Sequence, residues 1–593
     1  MKKKKLLATL LTATLAFSLT ACGGVAEENT AETVVEKAET TTETAEEAQP
    51  EAAENKVVDG ITSYGGLAPM ADAGDPVTFT YFLRDSGVAP AEDNPFINKI
   101  QELTGVTLKY EYLVGDLDQK LGVMMAGGDY PDLIFAGDSA TKLMAEGALI
   151  PLEDYLPNYP NLWAMYKDTI EEQKQEDGHV YQLEMYTYLN NDGITSAPPI
   201  FEASIGFFVQ KAVLEWAGYP EIKTLDQYFD VIEGYLAENP TIDGVATRGF
   251  EILNDGWRNW GLVNEPQCLM GASNDGAMFV DTTKTPYESS FYQISEEAHT
   301  FYKKLNEEYN KGVINAECLT ENYDQYIANI TSGSVLGFFD QRWNFQQGEF
   351  LLKNDGKFER TYVAVPVTAP GVKDGYVDGS NGLPTGSNGV GISINCKDPE
   401  RVLAYFDWLL QREVQDYLRW GIEGTDWNYT DGNTDRVLTD EAREIRRDTA
   451  KARDLTGNEL AKYTPGWWGL YQDGCAANTD QSAAEYLAQQ TEYDQAFLAA
   501  YNIQYPAELL SPPTVRPAYY PIWAMNLGDG SEASVVNEKI TDLCVKSFSR
   551  MVLAKDETEY ENLWSTFLTD FDALNTDALK DEVDRQIAAK MGW

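Results

Sequence analysis

Apolar and polar positions change period repeatedly along this chain, and the change is sharpest across residues 105–161. Val106, Leu108, Tyr110 and Tyr112 alternate with polar neighbours, which is the period of a strand. Leu117, Leu121, Met124 and Met125 then recur at the helical period, and a Gly-Gly-Asp-Tyr-Pro turn leads into the short apolar run 132–136. The pattern predicts a βαβ unit whose second strand is buried and parallel to the first. Upstream, residues 76–83 alternate as another strand that Arg84-Asp85-Ser86-Gly87 breaks. A helix over 94–103 follows, capped by Asp93 or Asn94, with Phe96, Ile97 and Ile100 on one face.

The same grammar restarts after the proline-rich stretch Ser196-Ala197-Pro198-Pro199. Residues 205–209 read as a buried strand, 212–218 and 224–236 as helices, 295–312 and 323–332 as amphipathic helices, and 333–339 as a further strand. Residues 361–366 read as a return crossing, 378–389 as a glycine-rich hairpin and 390–394 as a strand. Residues 401–417 read as a helix with Leu403, Phe406, Leu409 and Leu410 on its apolar face, and late helices cover 533–550 and 560–591. Open α/β sheets meet their ligands at the carboxyl ends of strands. That rule points to Arg84, Asp85, Asp138 and Ser139, for which turn or cap roles are the alternative.

A chain of 593 residues exceeds what one core supports, so two domains or more are expected. Four lysines and the apolar run 6–19 read as a secretory signal over 1–21, ending in Leu19-Thr20-Ala21-Cys22, the pattern at which a bacterial lipoprotein cysteine is acylated. More than one acyl chain makes a stable anchor. Residues 22–75 are rich in Glu, Thr and Ala, a composition that reads as an acidic disordered stalk reaching about 40 Å or more. No later run approaches the length of a membrane-spanning helix. The expected location is therefore the outer face of the cell membrane, lipid-anchored.

The net charge of −50 excludes a nucleic-acid footprint and disfavours acidic polysaccharide, although a local basic site overrides a global field. The 13 Trp and 34 Tyr suit stacking on sugar rings as well as a filled core. Apart from Cys22, cysteines fall singly at 268, 318, 396, 475 and 544, a spacing that predicts buried thiols with at most two bridges. Two histidines without ligand spacing, no GxSxG and no phosphate loop leave neither a zinc site nor a hydrolase triad. Asp431-Gly432-Asn433-Thr434-Asp435 lacks the sixth-position Gly and twelfth-position Glu of a calcium loop and reads as a hairpin. A glycosidase needs only two carboxylates, and counting does not exclude one. Pro465-Gly466-Trp467-Trp468-Gly469 sets two indoles in a turn, so that either one lines a binding cleft or both anchor a surface loop.

Several strings together carry a family resemblance. MMAGGDYPDLIFAGD followed by Gly147-Ala148-Leu149-Ile150-Pro151-Leu152, GFFVQKAVLEWAGY, and DPERVLAYFDWLLQREVQDYLRWGIEGTDWNYTDG resemble segments of extracellular solute-binding proteins of family 1, the sugar-capturing subunits of ABC importers. The resemblance implies an α/β, two-lobed periplasmic-binding-protein-like fold with inter-lobe crossings and a helical C-terminal part. Lobe 1 would take 76–200 and 366–410, and lobe 2 would take 201–365 and 411–593. It also implies binding without catalysis, no cofactor, no metal, a monomer, and an ABC permease as partner. Residues 333–343 resemble the family strand whose end forms the second-lobe wall, which assigns Asp340, Arg342 and Trp343 to the ligand. An Asp340–Arg342 surface pair with Trp343 in the core is the alternative for those three. An oligopeptide-binding lipoprotein, a glycosidase or a lipoprotein serving a membrane sensor are the alternatives for the whole.

Overall fold

The computed structural model describes residues 56–593 apart from 59–60, 64–65, 72, 176, 189–199, 273–274, 373–388, 431, 433, 513–516 and 529, with side chains from residue 66 onward except at 138, 172 and 188. All of these residues belong to one compact unit, 53–593. The chain first lays down β1 (Val77–Leu83), β2 (Val106–Tyr112), β3 (Leu133–Phe135), β4 (Gln182–Glu184) and β5 (Tyr186–Tyr188). It crosses to build β6 (Ile205–Gln210), β7 (Arg248–Glu251), β8 (Val335–Gln341) and β9 (Tyr362–Val365). It then returns for β10 (Gly389–Ile392) and β11 (Gly466–Trp468).

The first sheet has the order β2-β1-β3-β10-β4. β1, β2 and β3 run parallel, and β10 runs against β3 and β4. The helix Leu117–Gly127 joins β2 to β3 as the periodicity predicts, but β3 settles beside β1. Asp132 fixes that choice, since its carboxylate accepts from the backbone and hydroxyl of Thr80 at 2.8 and 2.7 Å. Along β1, Phe79, Tyr81 and Leu83 enter the first core, while the other face carries the exposed Thr78 and Thr80 and then Phe82, which is buried in a separate cluster. The second sheet has the order β7-β8-β6-β9, with β7 and β8 parallel and β6 opposed to both β8 and β9.

Strand ends locate the space between the lobes. β6 begins at Ile205 opposite Gln341, the last residue of β8, and β9 ends at Val365 opposite Phe207. β10 begins at Gly389 opposite Glu184, the last residue of β4, and passes Ile134 of β3 before Leu133. β4 and β9 therefore end, and β6 and β10 begin, on the side of each sheet where its parallel strands have their carboxyl ends.

The described residues form two large interiors. The first core joins β1 and β3 to the helices Pro399–Leu409 and Arg412–Arg419 and continues through Leu460, Tyr463, Trp467 and Cys475. Several residues of the stretch read above as lobe 2 pack into this first core, and Trp467 Nε1 donates to the Leu410 carbonyl at 2.8 Å, which ties them back to the preceding helix. The second core joins β6 and β8 to the helix Glu296–Lys311 and to the tail helices Glu532–Val552, Glu557–Asp572 and Thr576–Met591. Tyr302 and Phe548 stack at 3.8 Å within it. A third crossing falls between Glu485, bonded to Arg443, and Asp494, which pairs at 2.7 Å with the buried Lys211 of lobe 2.

Residues 361–366 also differ from the reading above. Their apolar run is the edge strand β9, because Val363 and Val365 complete the second core, and the return crossing follows it. The helix read over 401–417 is divided at Leu410-Gln411. Cys268, Cys318, Cys475 and Cys544 are buried free thiols, and Cys396 is a half-buried one. Strands Trp427–Tyr429 and Arg436–Leu438 pair as the hairpin read around residue 432, whose residues 431 and 433 lie outside the described set, as does most of the glycine-rich 378–389.

Candidate functional site

β7 and β8 run side by side, with Glu251 opposite Phe338, so the segments that leave their carboxyl ends are neighbours. After β7 the chain turns through the 3-10 segment Gly256–Asn259 into the short helix Trp260–Val263, and after β8 it enters the helix Arg342–Asn354. This brings Trp257 and Trp343 together, stacked at 5.7 Å with their planes 17° apart, while Trp260 lies 6.2 Å from Trp343 at a tilt. Trp257 is 62% exposed and Trp343 46%. An exposed indole pair forfeits the stabilisation that burial gives, and such patches mark binding surfaces.

A polar frame holds this platform. The Arg258 guanidinium lies over the rings of Trp257 (4.4 Å) and Tyr323 (4.0 Å), and its Nε donates to Asn344 Oδ1 at 3.1 Å. Tyr323 donates its hydroxyl to the Asn344 carbonyl at 2.7 Å and its backbone N–H to Asp255 at 2.9 Å. Asn344 in turn donates to Asp340 Oδ1 at 3.0 Å, and Tyr326 donates to Asp340 Oδ2 at 2.6 Å.

Asp340 was expected to accept a sugar hydroxyl, but it is fully buried beneath the platform. Both faces of β8 are buried, and Asp340 there orders Asn344 and Tyr326. Burial pushes its carboxyl up to about 7, against the Tyr326, Asn344 and Gln341 donors that favour the charged form. Arg342 also turns inward, to Glu349 at 2.5 Å and Glu202 at 3.5 Å, and its backbone N–H reaches the Ser204 carbonyl at 2.8 Å on the crossing strand. There is no Asp340–Arg342 pair. Trp343 alone of the three presents its side chain to solvent, with Nε1 donated to Gln341. The sequence reading missed Trp257, Arg258, Trp260, Tyr323 and Asn344. The signal was present: Asn254-Asp255-Gly256-Trp257-Arg258-Asn259-Trp260 follows a buried strand just as Asp340-Gln341-Arg342-Trp343 does.

The wall from lobe 1 is of different material. Arg84 follows β1 and lies 5.1 Å over Phe135, packed so closely on Gly137 that a Cβ there would meet its Nη1 at 1.5 Å. Gly137 has φ +59°, so both its conformation and its neighbour demand glycine. Asp85 accepts from Tyr463 Oη at 2.9 Å and lies 3.5 Å from Lys462 Nζ and 4.0 Å from Arg84 Nε. Ser139 starts the helix Ala140–Ala145 without a side-chain capping bond, and the side chain of Asp138 lies outside the described set. Arg84, Asp85 and Ser139 thus share one end of the sheet. Of the paired indoles, Trp467 is 3% exposed and fills the first core, where β11 pairs with β5, so it does not line the cleft. Trp468 points the other way, half-buried, edge-on to Tyr186 at 5.1 Å. Among the described residues no cluster of His, Cys, Asp and Glu is arranged to hold a metal ion, and no helix is long and apolar enough to cross a membrane.

Two lobes, each built on a sheet that the neighbouring segments enter and leave at the carboxyl ends of its parallel strands, define the solute-binding class of fold. Residues 85–416, more than half of the chain, match the bacterial extracellular solute-binding protein family, and the chain belongs to it. The polygalacturonan/rhamnogalacturonan-binding protein YtcQ of Bacillus subtilis (strain 168) is 22% identical over 352 residues, 57% of this chain and 64% of that one; the chain spans less than two thirds of that relative. The FusA substrate-binding protein of an S. pneumoniae ABC transporter, solved with kestose, superposes with a TM-score of 0.62 at 16% identity, covering 87% of this chain and 100% of that one. An HMO-binding, ABC-transporter-associated protein from Bifidobacterium longum infantis gives a TM-score of 0.60 at 15% identity over 87% and 99% of the two chains.

Proposed function

We propose that the protein captures an oligosaccharide between its lobes and presents it to an ABC permease for import, as a monomer held on the outer face of the membrane by a lipid on Cys22. The stacked, solvent-facing Trp257–Trp343 pair at the carboxyl ends of β7 and β8 carries the reading. Sugar rings offer flat C–H faces to such indoles. FusA and the YtcQ protein, whose names state sugar ligands, support the same class. Across the cleft Arg84, Asp85, Asp138, Ser139 and Trp468 supply hydroxyl partners from lobe 1. A ligand touching both walls favours the closed arrangement by the contacts it gains there, and a permease reads closure.

Binding is the whole chemistry in this reading, with no cofactor. Calorimetry with a panel of plant and host oligosaccharides yields a saturable heat, and the same mixtures develop no new reducing ends. Turnover by a pure preparation replaces the binding reading with a glycosidase, and exclusive binding of oligopeptides replaces the ligand class. For the anchor, labelled palmitate enters the wild-type chain and not Cys22→Ala; equal labelling of both contradicts lipidation at that residue.

A further inference from the structure

The cations around the cleft differ in one respect. Arg342 is neutralised by Glu349 and Glu202, and both Arg84 and Lys462 lie against Asp85. Arg258 has no ion-pair partner among the described residues, in a chain whose 95 acidic residues outnumber 45 basic ones. Asp255 is occupied with the Tyr323 N–H, and the buried Asp340, which feels the Arg258 charge through space, gives its oxygens to Tyr326 and Asn344. Of the five donors of a guanidinium, Arg258 spends the one on Nε, on Asn344, while the fork of four on its terminal nitrogens makes no hydrogen bond within the described protein.

This fork is also fixed in place. The faces of Trp257 and Tyr323 lie 4.4 and 4.0 Å from the guanidinium carbon, Asn344 sets the rotation about it, and Asp340 sets Asn344. Ordering entropy is therefore spent before any ligand arrives. Neutral hydroxyls would be served by an amide, whereas a planar, half-buried fork matches the two oxygens of a carboxylate and binds them with charge-assisted hydrogen bonds. The surplus of −50 charges repels anions at long range but is screened within about 8 Å at physiological salt. A short contact at Arg258 escapes most of that field.

We infer that Arg258 is a recognition site for a carboxylate on the ligand, which makes the ligand an acidic, uronate-bearing oligosaccharide. The inference rests on the sugar-binding reading and narrows it: indoles of the platform take the ring faces while Arg258 takes the acid at their edge.

The test pairs oligomers of galacturonate, glucuronate and mannuronate–guluronate each with its own carboxyl-reduced form and titrates them calorimetrically into wild type, Arg258→Gln and Arg258→Lys. At least one acid form binds wild type about tenfold or more tightly than its reduced partner. Arg258→Gln loses that preference, read as the ratio of acid-form to reduced-form affinity so that any loosening of the platform cancels, and Arg258→Lys retains part of it, since charge survives without the fork. The wild-type comparison needs no variant to fold. Equal binding of acid and reduced forms by wild type, or a preference that survives in Arg258→Gln, overturns the carboxylate assignment and leaves the sugar reading standing. If wild type binds none of these compounds and none of a neutral glycan panel, the sugar reading falls and this assignment falls with it.

Discussion

Both walls of the cleft use one architectural device, a pair of parallel strands whose carboxyl ends release a chemically loaded turn, yet the two turns are finished in opposite ways. In lobe 1 the aromatic rings go inward: Tyr463 and Trp467 fill the core, and what remains at the rim is Asp85 surrounded by Lys462, Arg84 and the Tyr463 hydroxyl. In lobe 2 the charges go inward: Asp340 and Arg342 are satisfied beneath the surface, and the indoles of Trp257 and Trp343 stay outside. Adjacent residues on a strand or its extension point to opposite sides, so a shift of one position decides which chemistry faces the ligand. On this account lobe 2 holds the sugar faces and lobe 1 closes a polar rim over them.

The sharpest way to break the comparison is at the two adjacent indoles of β11. Trp467→Ala opens the first core and costs about 3–5 kcal/mol of stability, read as a lower denaturation midpoint, while ligand affinity in the folded protein stays within about twofold. Trp468→Ala does the reverse, with a small change in midpoint and weaker binding. A stable Trp467→Ala protein that has lost its ligand would put that ring in the cleft.

The buried frame of lobe 2 gives a smaller effect with a definite sign. Asp340→Ala leaves Tyr326 and Asn344 with unpaired buried groups and costs about 1–3 kcal/mol. Asp340 itself titrates near 7 when folded, above its ordinary 3.8, so the folded state holds the proton more tightly. Stability from this residue is greatest below about pH 4 and declines as pH rises toward about 7. Glu265, also buried and raised by burial, slopes the same way, so the contrast between wild type and Asp340→Asn isolates Asp340. The variant should show a shallower loss of stability between pH 4 and 7; parallel profiles would contradict a raised Asp340.

Much of this architecture was legible in the sequence. Alternation marked β1 and β2, and apolar runs marked β6 and β8, which are buried along nearly their whole length. The packing of the helix Arg412–Arg419 into the first core was not legible, since it is as amphipathic as any other helix and nothing local says which core receives it. Within the site, Trp343 was visible as an indole at a strand end, but the inward turn of Asp340 and Arg342 depends on partners far along the chain, Tyr326 and Glu202 among them. Trp257 escaped notice because the strand before it is four residues long and its setting depends on tertiary contact with Trp343.

The central claim is that the exposed indoles of lobe 2 hold the ligand more than the polar rim of lobe 1 does. Calorimetric titration of one cognate oligosaccharide into wild type, Arg84→Ala and the double variant Trp257→Ala/Trp343→Ala tests it directly, with melting checked for each. The account predicts that the double variant binds about a hundredfold more weakly with a near-native melting temperature, and that Arg84→Ala loses about tenfold or less. A double variant that keeps the wild-type dissociation constant would contradict it.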